Sequence, residues 1–185
     1  MEQEFFLRFP TLLGVNGTIE MQAQDLKDIV GAPSKTGDKR TDYVLKYFGE
    51  AQKVGKEFGL NPIIILAQAA LESGWGTSNL SLNHNNFFGV TAYGKPNQYW
   101  TGGKVISKSS GLPFRTYKSA ADGFRDFARL ITSYYKAAAK MSFTVTEYAR
   151  LIASSPYINE KNGDNRAKYK EIIIRNAVAI SQIAK

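Results

Sequence analysis

The sequence predicts a predominantly helical α+β domain with one small β-lobe set between helices. Three observations point there. Apolar residues recur at helical spacing along most of the chain. The period changes abruptly between Asn86 and Tyr117, and 185 residues suit a single core. Residues 1–40 read as an N-terminal arm and linker, with one short helical pattern from Gln22 to Val30 and the breaker-rich end GAPSKTGDKR. Residues 41–185 read as the folded domain, with its β-lobe at about 87–117.

The first helix of that domain carries Val44, Tyr47, Phe48, Ala51, Val54, Gly55 and Phe58 on one face. Thr41 or Asp42 is its expected N-cap and Gly59 its expected stop. Asn61-Pro62 opens the next helix, with proline in the first turn. Its run Ile63, Ile64, Ile65, Leu66, Ala67, Ala69 and Ala70 is apolar nearly all round, which predicts burial. In the β-lobe, Val90, Tyr93, Tyr99, Trp100, Val105 and Ile106 sit among glycines and prolines, and Gly102-Gly103 reads as the tight turn of a hairpin. Phe114 and Tyr117 are expected to face the core, and Arg115 the solvent. Helical spacing returns in SAADGFRDFARLITSYYKAAAK, in TVTEYARLIAS and over residues 165–184, where Tyr169, Ile172, Ile173, Ala177, Ile180 and Ile183 form a stripe.

Composition narrows the chemistry. No cysteine is present, so disulfides, thiolate metal sites and cysteine nucleophiles are excluded. One histidine, His84, excludes a multi-histidine metal site, and it reads as a loop residue; no cofactor is implied. The net charge of +8 favours a polyanionic neighbour: nucleic acid, an anionic membrane surface or bacterial cell wall. The lysines run from Lys35 to Lys185 without a dense block, which argues for a solvated basic face rather than a nucleic-acid stripe. The opening MEQEFFLRFPTLLGVNG lacks the pattern of a signal peptide, and no apolar run is long enough to span a bilayer, so a soluble protein without stable membrane insertion is expected.

One residue breaks the apolar pattern. Glu72 closes the helix of ILAQAALESGWG, on the face of Gln68 and Ile65, and the chain turns at once through Ser73-Gly74-Trp75-Gly76. Apolar walls disfavour a charged carboxylate, and helix C-terminal carbonyls push the same way, so its pKa is expected to rise. Such an acid can protonate a departing glycosidic oxygen. The competing role is a surface cap or ion pair; Trp75 and the polar-aromatic loop NHNNFFG favour a sugar site, with Trp75 as a support beneath Glu72.

The segments LAQAALESGWG, NNFFGV and FRTYKSAADGFRDFARLI, in order over residues 42–183, resemble the glucosaminidase domains of glycoside hydrolase family 73. The resemblance implies a lysozyme-like α lobe, a β-lobe over the cleft, and hydrolysis of the N-acetylglucosaminyl-β-1,4-N-acetylmuramyl bond of peptidoglycan. It places the catalytic acid on Glu72, a cleft-shaping Asn-x-Phe-Gly element on Asn86, Phe88 and Gly89, and a tyrosine facing the acid on Tyr157. Tyr93, Tyr99 and Trp100 either stack on sugar rings or fill the lobe's core, and Tyr93 and Trp100 stand with Asn86 and Phe88 as substrate-binding candidates. Many relatives carry a second glutamate in the β-lobe. This chain has no acid between Trp100 and Tyr117. The candidates for its place are Asp122, at an expected helix N-terminus, and Glu160 or Asp164 in the NEKNGDN loop. A third route is attack by the substrate's own 2-acetamido group, which is the reading favoured from sequence. The rival functions are a muramidase on the same scaffold, a binding module without turnover, and a basic nucleic-acid binder. Delivery as a phage lysin or as a toxin injected into a rival's periplasm fits a wall hydrolase in which no signal peptide is recognised, a missing or removed signal sequence fits equally, and a toxin's producer would need an immunity protein at the cleft.

Overall fold

The computed structural model describes residues 36–160 and 164–185; the expected arm and its helical pattern at Gln22 to Val30 lie outside them. Seven helices and one two-stranded antiparallel hairpin follow in order among the described residues: α1 Lys39–Phe58, α2 Pro62–Ser73, α3 Asn79–His84, β1 Lys104–Ile106, β2 Pro113–Arg115, α4 Ala120–Tyr134, α5 Lys136–Lys140, α6 Val145–Ser154 and α7 Arg166–Ile183.

Helix α2 is the axis of the core. Pro62 through Ala70 are all buried, as an all-round apolar helix requires, and α1 and α7 pack on its flanks. Its limits are local chemistry. The Asn61 side chain accepts from the Ile63 N–H at 2.9 Å, Pro62 occupies the first turn, and Gly74 ends the helix in the left-handed region at φ 59°. Helix α1 also ends on a left-handed glycine, Gly59. It starts earlier than expected, however. Asp38, rather than Thr41 or Asp42, is the N-cap, because its carboxylate reaches both the Thr41 N–H and hydroxyl.

Around this axis, α4 packs on α1 and α6 packs on α7. The join between α4 and the chain after α3 is tight: a Cβ at Gly123 would stand 2.3 Å from the Asn85 carbonyl oxygen. Phe87 and Phe88 enter the core there. Phe87 meets Tyr47 and Phe124 edge-on, and Phe88 stacks flat on Phe127 at 3.7 Å.

The hairpin is shorter than the sequence suggested, with Lys104, Val105 and Ile106 opposite Arg115, Phe114 and Pro113. Its turn is not Gly102-Gly103. Those residues bend the chain into β1, and the reversal runs through residues 107–112, closed by the Gly111 N–H on the Ser107 carbonyl and the Ser107 N–H on the Leu112 carbonyl. Three further expectations are corrected. His84 ends α3 instead of lying in a loop. The stretch from Ala120 to Lys140 is two helices, broken at Tyr135. Arg115 points inward and is only 6% exposed, because a buried carboxylate on α4 calls it in.

That carboxylate is Asp126, fully buried in the face of α4 that meets the lobe. Its two oxygens accept from the Arg115 guanidinium at 2.6 Å, the Tyr117 hydroxyl at 2.8 Å, Arg129 at 2.9 Å and the Asn97 amide at 2.9 Å. Arg115 also donates to the Thr91 and Tyr93 carbonyls and lies over the Trp100 ring at 4.1 Å. Burial works against the charge on Asp126, but the bonds from Tyr117 and Arg129 and the Arg115 charge outweigh it and hold the carboxyl below its usual range. The lobe has little apolar core of its own, and this polar node fixes it to the helices.

Candidate active site

A cleft of about 410 Å³ opens between the C-terminal end of α2 and the start of α7, lined by Leu71, Glu72, Phe88, Gly89, Tyr157, Ile158, Asp164 and Tyr169. Glu72 occupies the last turn of α2, and one device clears the space before it. Gly74, Trp75 and Gly76 are all left-handed, at φ 59°, 63° and 71°. The Ser73 hydroxyl steadies this turn, donating to the Ala69 carbonyl and accepting from the Gly76 N–H. Trp75 does not support Glu72 from beneath; it packs edge-on against Tyr43 at 5.5 Å, under the Arg40 guanidinium, and is not among the cleft-lining residues.

The Glu72 carboxyl is reached by solvent from the cleft, yet protein walls surround the rest of it. This desolvation pushes its pKa from 4.5 up to about 6. The Tyr169 hydroxyl donates to Glu72 Oε1 at 2.8 Å and pulls the other way, whereas the Asp164 charge adds to the rise. Glu72 is therefore half-protonated in mildly acidic solution, the state from which a carboxylic acid can donate a proton.

The structure brings Tyr157 and Asp164 to Glu72. Tyr157 lines the cleft, its hydroxyl pushed well above its ordinary pKa by burial and by the Glu72 charge. Asp164 stands at the entrance to α7 and accepts from the Asn159 N–H at 3.2 Å. The other two candidate acids are engaged elsewhere. Asp122 accepts from the Ser119 hydroxyl in the first turn of α4, and Glu160 pairs with Arg166 at 3.4 Å; neither lines the cleft.

Of the four substrate-binding candidates, Phe88 and its neighbour Gly89 line the cleft. Asn86 is 1% exposed and spends its amide on the Val90 and Arg115 backbone, which shapes the turn beneath the cleft instead of offering a ligand contact. Trp100 is 3% exposed, with its indole N–H on the Gly103 carbonyl, so its ring fills the lobe under Arg115. Tyr93 is 59% exposed and lies outside the cleft lining. Tyr99 bonds Glu57 on α1.

Sequence reasoning missed Tyr169, placing it in the packed stripe of the last helix. Its role depends on a contact 97 residues away in sequence, for which no local signal exists. Among the described residues, no group of acidic, histidine or cysteine side chains is arranged to hold a metal ion, and no helix is long and apolar enough to cross a membrane.

Residues 49–181 match the glucosaminidase family, described as mannosyl-glycoprotein endo-β-N-acetylglucosaminidase. Among curated proteins, the peptidoglycan hydrolase FlgJ of Vibrio cholerae is 32% identical over 107 residues, covering 51% of this chain and 31% of FlgJ. A probable N-acetylmuramidase of Lactococcus lactis is 28% identical over 159 residues, covering 78% of this chain and 35% of that protein. The chain thus spans about a third of the length of these relatives. Two solved structures share its fold. The catalytic domain of the Listeria monocytogenes autolysin Auto has a TM-score of 0.59 at 23% identity, over 90% of this chain and 99% of that one. A type VI secretion effector–immunity complex from Pseudomonas protegens gives 0.58 at 22% identity, over 80% and 95%. The chain belongs to the glucosaminidase family, glycoside hydrolase family 73, on a lysozyme-like fold.

Proposed function

We propose that the protein is a peptidoglycan hydrolase that cleaves the β-1,4 bond between N-acetylglucosamine and N-acetylmuramic acid, with Glu72 as general acid. The observation that carries this is a carboxyl held at about 6 in a cleft shared with Tyr157, Tyr169 and Asp164. Protonated Glu72 gives its proton to the glycosidic oxygen as the bond breaks. The Tyr169 hydroxyl then stabilises the carboxylate left behind, and the buried Phe88 with Gly89 forms part of the cleft wall. Asp164 is the second carboxylate, taking the place of the glutamate missing from the hairpin, because it alone of the three candidates lines the cleft with Glu72. The net charge of +8 suits an anionic wall polymer. Action at the cell wall or in the periplasm follows from the substrate. The likeness to an effector solved with its immunity protein makes an inhibitor seated over Glu72 the partner to look for.

Digestion of purified peptidoglycan, borohydride reduction and mass spectrometry test the reading. Reduced N-acetylglucosamine ends from the wild type, absent with Glu72→Gln, are expected. Reduced muramic ends would make the protein a muramidase, as the Lactococcus relative is named. No product from the wild type, with wall binding intact, would make it a binding module. Asp164→Asn is expected to lower turnover by about 10²–10⁴-fold; a near-normal rate would instead assign the second role to the substrate's acetamido group.

A further inference from the structure

Arg166 is the first residue of α7, an unfavourable place for a cation, because a helix N-terminus carries positive partial charge and no acid stands in the first turn of α7 to offset it. Its guanidinium serves other partners. Nη1 donates to the Ala153 carbonyl and, at 2.9 Å, to the Ser155 carbonyl, both at the C-terminal end of α6. There a cation is favoured, and α6 has no basic residue of its own in its last turn. Nε faces the Glu160 carboxylate at 3.4 Å. One side chain thus joins the end of α6, the outgoing chain at Glu160 and the start of α7. Between these points lie Tyr157, Ile158 and Asp164, all in the wall of the cleft. Two smaller ties run through the same stretch. The Ile158 N–H meets the Ser155 carbonyl at 3.3 Å, beside the guanidinium, and the Asn159 N–H meets Asp164 Oδ2 at 3.2 Å.

We propose that Arg166 is the positioning residue for Asp164: by tying the end of α6 and Glu160 to the start of α7, its guanidinium holds the Asp164 carboxylate in the cleft wall shared with Glu72. The inference rests on the function proposed above and deepens it, naming what sets the second carboxylate in place. Asp164 is exposed, and one 3.2 Å bond from Asn159 does not hold an exposed carboxylate against competing water. The backbone around that bond must be held instead. Arg166 lies two residues after the acceptor, Asp164, and its partner Glu160 one residue after the donor, Asn159. Their ion pair keeps donor and acceptor opposite each other. The planar fork matters here. Its donors reach two carbonyls and a carboxylate at once, whereas a lysine ammonium keeps the charge and loses the span. The separation of two carboxyl groups decides the geometry of attack on a glycosidic bond. A loop free to move Asp164 by about 1 Å therefore lowers rate more than binding.

Two readouts separate this role from that of a plain cap on α6. The first needs no substrate: the Asn159 amide proton, followed by NMR while the Asp164 carboxyl is titrated. In the wild type its shift is expected to track that carboxyl through their bond, and in Arg166→Met the response should be lost. Where Arg166→Met folds poorly, Arg166→Lys keeps a charge at the end of α6 and carries the same test; it is expected to share the loss. The second readout is turnover of peptidoglycan. Arg166→Met is expected to lower kcat about tenfold to a hundredfold with KM little changed, and to add no further loss to Asp164→Asn. An Asn159 response absent from the wild type or intact in the folded variants, or losses that multiply in Arg166→Met/Asp164→Asn, would overturn the proposal and leave Arg166 a cap. If the wild type proves inert on peptidoglycan, or Asp164→Asn turns over normally, the functional reading fails instead, and the NMR comparison still decides whether Arg166 places Asp164.

Discussion

Glu72→Gln should stabilise the fold at neutral pH while abolishing turnover. The glutamine amide retains an oxygen for the Tyr169 hydroxyl, so the substitution removes a charge and little else. The folded carboxyl titrates at about 6 against an ordinary 4.5. At about 1.36 kcal/mol per pH unit that gap is worth about 2 kcal/mol, and solvent reaching the group through the cleft screens roughly half of it, leaving about 1 kcal/mol. The sign follows from proton binding. The folded state holds the Glu72 proton more tightly, so the wild type loses stability as pH rises from 4.5 through about 6, and the cost is complete above that. Glu72→Gln should therefore melt about 2–4 °C higher than the wild type at pH 8 and show almost no difference at pH 4. Thermal unfolding of the two proteins at both pH values reads this directly. A pH-independent difference, or a less stable variant at pH 8, would refute the claim that the cleft desolvates this carboxyl.

The pH profile of kcat/KM should fall on its basic side with a midpoint near 6, where Glu72 loses its proton. In Tyr169→Phe that limb should move to higher pH, since the lost bond favoured the carboxylate; an unmoved limb would detach Tyr169 from the acid. Asp126→Asn leaves Arg115 buried against a neutral group and should cost about 3–5 kcal/mol in urea unfolding, with Arg115→Met added to it recovering part of the loss. Because the Asp126 carboxyl is held below its usual range, its share of stability is present at neutral pH and lost on strong acidification, so the cost of Asp126→Asn should shrink there. Gly123→Ala, placing a methyl 2.3 Å from the Asn85 oxygen, should lower the melting temperature and loosen α4 from the cleft turn.

What could be read from sequence was what neighbouring residues decide among themselves. The limits of α2 follow from Asn61-Pro62 and Gly74, its burial from an apolar run interrupted only by Gln68, and the raised pKa of Glu72 from an acid at the end of that run. Helix α3 went unseen because its six residues carry no apolar period, only a serine cap. Arg115 was turned the wrong way because strand alternation cannot reveal that a buried carboxylate waits on a helix eleven residues further on. Trp100, Asn86 and Phe88 share the composition of a sugar site, but all three are buried, and tertiary placement alone puts Phe88 in the wall of the cleft and the other two away from it. Tyr169 and Asp164 join Glu72 through the path of the chain after α6, which no spacing rule encodes.

The left-handed turn after Glu72 has a consequence for access. Had α2 continued, residues 75 and 76 would have risen one turn above Glu72 on its own face, and the backbone would have roofed the carboxyl. Instead the reversal of handedness at Gly74, Trp75 and Gly76 sends the chain back toward Tyr43. The tryptophan held in a conformation that disfavours side chains is anchored at that ring, at a strain of about 1–2 kcal/mol. The opening that leaves the Glu72 carboxyl accessible from the cleft is thus an omission enforced by chirality: three residues refuse the helix so that the side chain behind them can be touched.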